Sequence, residues 1–255
     1  MMLSMRERTG NARRPRTDDG ITMAELLVAM LVFGILSTLV VGFFASTVRT
    51  MSQVQALSTN TSQASNGMNE SARIIRAGTD NPVKPTAANP APKPQPAFLQ
   101  AKKESLVMYA YVNLAPVAAT DELFRPIMVK LSLDSKRRLI EQRWSATAAG
   151  DGYWTFPDPD RDPPAESRIL AATVAPEGAD SLFTYTDANG ARLCVAAAGA
   201  QCLPAAGLPE ASRRLIAAVK VSLTIEDESG SGEQHRVTLE NTVGVPNLGI
   251  GRLVS

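Results

Sequence analysis

The sequence has a single histidine, His235, and only two cysteines, Cys194 and Cys202. That scarcity excludes a metal site built from several imidazole or thiolate ligands. It leaves one histidine for any Cys–His nucleophile pair, and neither cysteine sits in a stretch resembling a catalytic-cysteine signature. Net charge is missing too: 26 basic residues face 25 acidic ones, without the basic excess of a nucleic-acid binder. Lys102-Lys103 and Arg213-Arg214 are isolated pairs read as solvated, so no nucleic acid is expected as a partner. The chain lacks a G-x-S-x-G elbow, a phosphate-binding glycine loop and an H-E-x-x-H pair. Glu226 and Glu228 fall at a strand end and turn, where water is the expected neighbour. The reading is of a protein that is not an enzyme and uses no cofactor.

What the sequence does have is a long apolar run. Residues Ile21–Phe44 include one charge, Glu25. As a helix these 24 residues extend about 36 Å, enough to cross a hydrocarbon layer of about 30 Å. A secretory signal has a shorter apolar core, and Ala45-Ser46-Thr47 behind Phe43 and Phe44 match its cleavage site poorly. Arg13-Arg14 suggest a twin-arginine signal, against which stand Asp18, Asp19 and Glu25. Residues 1–20 carry Arg6, Arg8, Arg13, Arg14 and Arg16 against three acids, leaving 21 basic and 22 acidic residues in the rest. Basic flanks stay cytoplasmic, which predicts a single-pass membrane protein whose C-terminal part is extracytoplasmic. A carboxylate in such a helix either snorkels to the interface or serves a function.

Gly20 borders the polar leader and the apolar helix, and Glu25 is the fifth residue after it. Gly20-Ile21-Thr22-Met23-Ala24-Glu25-Leu26-Leu27 resembles the class III signal of type IV prepilins and type II secretion pseudopilins. The match covers Asp19 to Phe44, and Ile21 departs mildly from the family's usual Phe or Met. The resemblance implies that Gly20 is the last leader residue, that a membrane prepilin peptidase cuts after it, and that Ile21 becomes an N-methylated N-terminus. It implies that Glu25 faces the ammonium of a neighbouring subunit's first residue, a buried pair whose loss on one side costs roughly 3–5 kcal/mol. The implied partners are that peptidase, other pilin or pseudopilin subunits, an inner-membrane assembly platform, and membrane lipid before assembly. The assembled location is a filament in the periplasm or at the cell surface.

Downstream, Met51, Val54, Leu57, Thr61, Ala64, Met68, Ala72 and Ile75 recur at helical spacing. No proline occurs between Ile21 and Asn81, and Gly78 after Arg73 and Arg76 reads as a C′ glycine. One helix is therefore expected from Met23 to Ala77: a membrane segment over 21–44 and an amphipathic stalk over 45–78. Residues 79–97 hold Pro82, Pro85, Pro90, Pro92, Pro94 and Pro96, read as an extended, semi-rigid linker. Residues 98–255 read as a β-rich globular domain. Expected strands are Ser105–Val112, Ile127–Leu133, Arg138–Trp144, Arg168–Val174, Ser181–Tyr185, Leu215–Ile225 and His235–Val243, with turns at Asp134-Ser135-Lys136 and Glu228–Glu233. The fold class is α+β, a long N-terminal helix packed on a mostly antiparallel sheet. This order, with its Val245-Pro246-Asn247-Leu248 tail, resembles the larger minor pseudopilins of the J-type and pilin-W-like group.

Major pilins pin a C-terminal loop with a disulfide, and an extracytoplasmic location favours one between Cys194 and Cys202; two unrelated thiols are the alternative. Asp151, Asp158, Asp160 and Asp162 lie in a Pro-rich loop. Alternating carboxylates suit calcium, but the EF-hand glycine and closing Glu are absent, so turn formation is the expected role. Tyr153, Trp154 and Phe156 beside them either form a contact surface or roof the core.

Overall fold

The computed structural model describes residues 20–112, 125–175, 181–194, 206–226 and 236–248. The chain divides into two units, Met1–Ser52 and Gln53–Ser255. The stalk from Gln53 on, the Pro-rich segment and the β-region thus belong to one unit.

The first unit is helical from Met23 on. Helix α1 (Met23–Arg76) begins there and continues into the second unit. Within the first unit it is long and apolar enough to cross a membrane, and none of its apolar window is buried. Its threonines satisfy themselves on the helix backbone: Thr38 Oγ1 donates to the Ile35 carbonyl at 2.8 Å and Thr47 Oγ1 to that of Phe43 at 2.9 Å. Hydroxyls bonded in this way carry little cost in an apolar medium.

In the second unit α1 turns one face inward, burying Asn60, Ala64, Gly67, Met68, Ser71, Ala72, Ile74 and Ile75. The expected stripe is buried only from Ala64 onward; Met51, Val54, Leu57 and Thr61 are exposed. The helix ends at Arg76. Gly78 does not adopt the left-handed conformation expected of a C′ cap. What it supplies is room, since a Cβ there would lie 2.5 Å from Met108 Cε and 2.8 Å from Val245 Cγ1. The chain can then bridge antiparallel from Gly78 to Ala110.

The strands are β1 (Phe98–Ala101), β2 (Ser105–Ala110), β3 (Ile127–Leu133), β4 (Leu139–Ser145), β5 (Thr147–Gly150), β6 (Tyr153–Thr155), β7 (Glu166–Ala171), β8 (Phe183–Thr186), β9 (Ala218–Ile225) and β10 (Val237–Gly244). A short helix α2 (Glu210–Arg213) precedes β9, and a 3-10 turn, Pro246–Leu248, follows β10. One sheet has the order β1-β2-β3-β4-β7, a second β10-β9-β8, and β5-β6 form a separate hairpin. Every described ladder is antiparallel. The fold is α+β, an N-terminal helix and a mostly antiparallel β domain. The expected β3–β4 hairpin is present: Asp134 Oδ1 accepts from the Lys136 and Arg138 amides at 2.9 and 2.8 Å, and Arg137 takes the left-handed position with φ 53°. Strands β1, β5 and β6 and helix α2 were not expected.

The Pro-rich segment is not an extended connector. Its ends meet: Asn81 and Gln95 exchange backbone bonds at 3.0 and 2.9 Å, and the Ala97 amide donates to Asp80 Oδ1 at 2.7 Å. Prolines cannot donate to a ladder, and the loop beyond this neck is mostly exposed and without strands, tied back to the domain by Lys84, which donates to the Ala149 carbonyl at 3.2 Å.

The main core forms where the inner face of α1 meets both sheets, with Met68, Ile75, Phe98, Leu106, Phe183 and Leu223 among its members. Tyr185 lies in it, edge-on to Phe98 at 6.3 Å, and its hydroxyl donates to the Lys102 carbonyl at 2.8 Å. Strand alternation sends Leu106 and Met108 of β2 into this core and Val107 and Tyr109 into a smaller one with Met128 and Trp144. Phe156 roofs the smaller core, its ring 4.6 Å from that of Tyr109. Burial pushes the Tyr109 hydroxyl up to about 12.

A charged cluster ties α1 to β4 and β7. Glu70 of α1 pairs with Arg73 at 2.5 Å, with Arg168 of β7, and with Arg143 of β4 at 3.7 Å. Glu141 of β4 is fully buried and pairs with Arg143 and, at 2.6 Å, with Arg168. The hydrogen bond from Arg73 holds the Glu70 carboxyl below its ordinary 4.5, with partial burial opposing and the Arg168 charge assisting. A carboxyl whose folded value lies below its unfolded one adds stability above the unfolded value and loses it as pH falls through the folded one. The stability difference between wild type and Glu70→Gln, read from denaturant midpoints of the full chain in detergent, should therefore be largest near pH 6 and shrink steadily below about pH 4.5. A difference constant from pH 6 to 3 would show that Glu70 draws nothing from its charge.

Candidate processing and assembly segment

Helix α1 starts at Met23, so Thr22 is its N-cap and Glu25 its third helical residue. The Thr22 amide and hydroxyl both donate to Glu25 Oε2 at 2.9 Å, and the Glu25 amide donates back to Thr22 Oγ1 at 3.3 Å. This is a reciprocal capping box, built by the T-x-x-E spacing of Thr22-Met23-Ala24-Glu25. It gives Glu25 a local role that motif reading alone missed, although the spacing that encodes it is legible. The carboxylate also sits where the positive end of the helix dipole favours an anion.

Gly20 and Ile21 precede the helix and are exposed. A Cβ at Gly20 would meet nothing within 4 Å among the described residues. Packing in the described fold does not demand a glycine there. In Gly78 and Gly207 the demand is plain: a Cβ at Gly207, with φ 85°, would lie 2.7 Å from the Ala101 carbonyl oxygen.

The other candidates separate. Cys194 is not a free thiol, and Cys202 lies outside the described residues, as do His235 and Glu228–Glu233. Asp151, Asp158, Asp160 and Asp162 serve turns and ion pairs. Asp162 Oδ2 accepts the Asp158 amide at 2.7 Å, Asp158 Oδ1 accepts the Asp160 amide at 2.9 Å, and Asp151 pairs with Lys84 at 3.0 Å. Partial burial pushes the Asp160 carboxyl up, but hydrogen bonds from Gln100 and Lys130 outweigh it and hold the group below the usual range. No three metal-ligating side chains converge among the described residues. Trp154 is half-buried, with the Arg125 guanidinium 5.8 Å from its ring centre.

Arg213 and Arg214, expected to be solvated, are structural. Arg213 donates to the Phe98 carbonyl at 3.2 Å, and Arg214 to that of Pro94 at 2.9 Å and to Glu210 at 2.8 Å. They hold α2 against β1 and the neck of the Pro-rich loop. Glu226, expected to be solvated, pairs with Arg236.

No protein-family model matches this chain, and no curated protein matches it.

The capping box predicts that Thr22→Val, which keeps the side chain's shape and removes its oxygen, weakens the first turn by about 0.5–2 kcal/mol. Amide exchange of the full chain in detergent should accelerate at Ala24–Leu26 and stay unchanged beyond Phe33. Unchanged exchange in the first turn would mean that the cap does not hold it.

Proposed function

We propose that this chain is a minor pilin or pseudopilin subunit, cut after Gly20 by a prepilin peptidase and assembled into a type IV pilus or a type II secretion pseudopilus. The observation that carries the reading is the placement of Gly20. It lies at the start of an apolar run with no buried residue, five residues from the only charge in that run, at a position where a Cβ would meet no described atom within 4 Å. Further support comes from α1 itself, apolar on all sides in its first part and amphipathic where it enters the core. A helix apolar all round suits both lipid and the interior of a helical bundle.

In this mechanism the chain is stored in the cell membrane through Ile21–Phe44, its N-terminus cytoplasmic and its β domain outside. Cutting after Gly20 creates an ammonium at Ile21, which methylation leaves charged. Docked among other subunits at the assembly platform, that ammonium and the Glu25 carboxylate of a neighbour neutralise each other. Either one alone in the bundle would be an uncompensated buried charge. Outside the membrane Cys194 and Cys202 form a disulfide that closes their loop.

A second reading, an uncut membrane-anchored extracellular domain, is favoured by one observation: the capping box already gives Glu25 a reason to exist. Glu25→Gln separates the two, because glutamine also closes a capping box but carries no charge. The filament reading predicts normal leader removal and loss of the variant from sheared filaments, by a factor on the order of a hundred or more. Incorporation equal to wild type would overturn charge pairing as the role of Glu25.

A further inference from the structure

Strand β7 is an edge of the five-stranded sheet, and β4 is its strand neighbour there. Its exposed side chains carry opposite charges on either side of one small residue: Glu166, 74% exposed, and Arg168, 48% exposed, flank Ser167. We propose that β7 is a homotypic docking edge, on which a second copy of this chain pairs β7 with β7 antiparallel about Ser167 and joins the two five-stranded sheets.

The backbone directions permit it. At the β3–β4 hairpin the Asp134 amide donates to the Arg138 carbonyl. Backbone groups alternate along a strand, so even-numbered residues of β4 bond to β3, while Glu141 and Arg143 turn toward β7. Their register partners Arg168 and Glu166 spend their backbone groups on β4. Ser167 and Ile169 therefore direct their N–H and C=O out of the sheet edge. With the two-fold axis at Ser167, the two Ser167 residues exchange hydrogen bonds and each Ile169 amide reaches the Ala165 carbonyl of the other copy. Pro163 and Pro164 end the ladder on either side, because proline has no N–H to give.

The charges permit it as well. Within one copy Glu141 stands opposite Arg168, and Arg143 opposite Glu166. Across the axis Arg168 of one copy stands opposite Glu166 of the other. The row through both sheets then reads Glu141, Arg168, Glu166, Arg143, alternating in sign without a break. Charged side chains ordinarily keep an edge strand from pairing. Opposite charges two residues apart do the reverse when the strand meets itself antiparallel, since each finds its counterpart directly across. Ile169, 52% exposed on the opposite face, gains cover in the same arrangement.

The test is register-specific cross-linking of the full chain in dilute detergent micelles. In this pairing the two Ser167 Cα atoms lie about 5.5 Å apart, within disulfide reach. The two Ile169 residues are displaced by about 13 Å along the strands, outside that reach. On mild oxidation Ser167→Cys should yield a band of twice the protomer mass that Ile169→Cys and wild type lack. Adding Glu166→Gln, which removes the counter-charge across the axis without setting a second cation beside Arg143, should reduce that band while leaving the thermal midpoint of the reduced protein near that of Ser167→Cys alone. Equal cross-linking of Ser167→Cys and Ile169→Cys, as from chance collision or from association through α1, would overturn the proposal. So would absence of the Ser167→Cys band.

Discussion

Everything else in this chain depends on α1 keeping an unbroken backbone ladder while its side chains change surroundings. Between Glu25 and Glu70 the only charged residue is Arg49. Up to Phe44 the outward side chains are apolar apart from Ser37 and Thr38, and serine, threonine, glutamine and asparagine become frequent after it. The change is made without a proline and with Gly34 and Gly42 as the only glycines before the buried face. A helix satisfies its own backbone in any solvent, so only the side chains need to record which solvent they meet. That division lets one element serve as the apolar segment of the first unit and as a wall of the core in the second.

Where α1 joins the β domain, two kinds of contact set its position. The first is steric. Gly67 lets the helix approach Ala171 and Leu223, where a Cβ would find atoms at 3.1 and 3.2 Å. Gly78 lets the chain leave the helix between Met108 and Val245. The second is the cluster of Glu70, Arg73, Glu141, Arg143 and Arg168. A buried ion pair adds little net stability over an apolar replacement, because desolvation consumes most of the attraction. Its effect is on orientation: Glu141, Arg143 and Arg168 pair within the sheet, and Glu70 reaches Arg143 and Arg168 from α1 only when that helix face is turned toward β4 and β7. Apolar burial drives the helix onto the sheets, and the charges choose how it sits.

Much of this architecture is legible in the residues, and the exceptions share a cause. Helix α1, β3, β4 and β10 announce themselves by periodicity sustained over seven residues or more and by turn chemistry such as that of Asp134. Strands β1, β5 and β6 are three or four residues long, too short for a period to register, and they lack the alternating aromatic and threonine residues that mark the equally short β8. The neck of the Pro-rich loop depends on Asn81 meeting Gln95, and the roles of Arg213 and Arg214 on carbonyls 115 and 120 residues away. No local pattern encodes such meetings. Gly78 invites a conformational explanation from its place after a helix, and only the packed partners reveal a steric one. In the processing segment the reverse holds: Gly20, Ile21 and Glu25 stand out by motif, whereas the Thr22 cap is equally local but is masked by the stronger pattern that overlaps it.

The proposed function gives Gly20 the role of the last leader residue, a role that no packing contact in the described fold supplies. Intact mass and N-terminal sequence of the chain recovered from membranes, with and without prepilin peptidase in the cells, test this directly. Cleavage after Gly20 predicts a mature chain beginning at Ile21, heavier by one methyl group, only when the peptidase is present. A chain beginning at Met1 in both, or one cut near Ala45, would contradict it and leave Glu25 with its capping role alone.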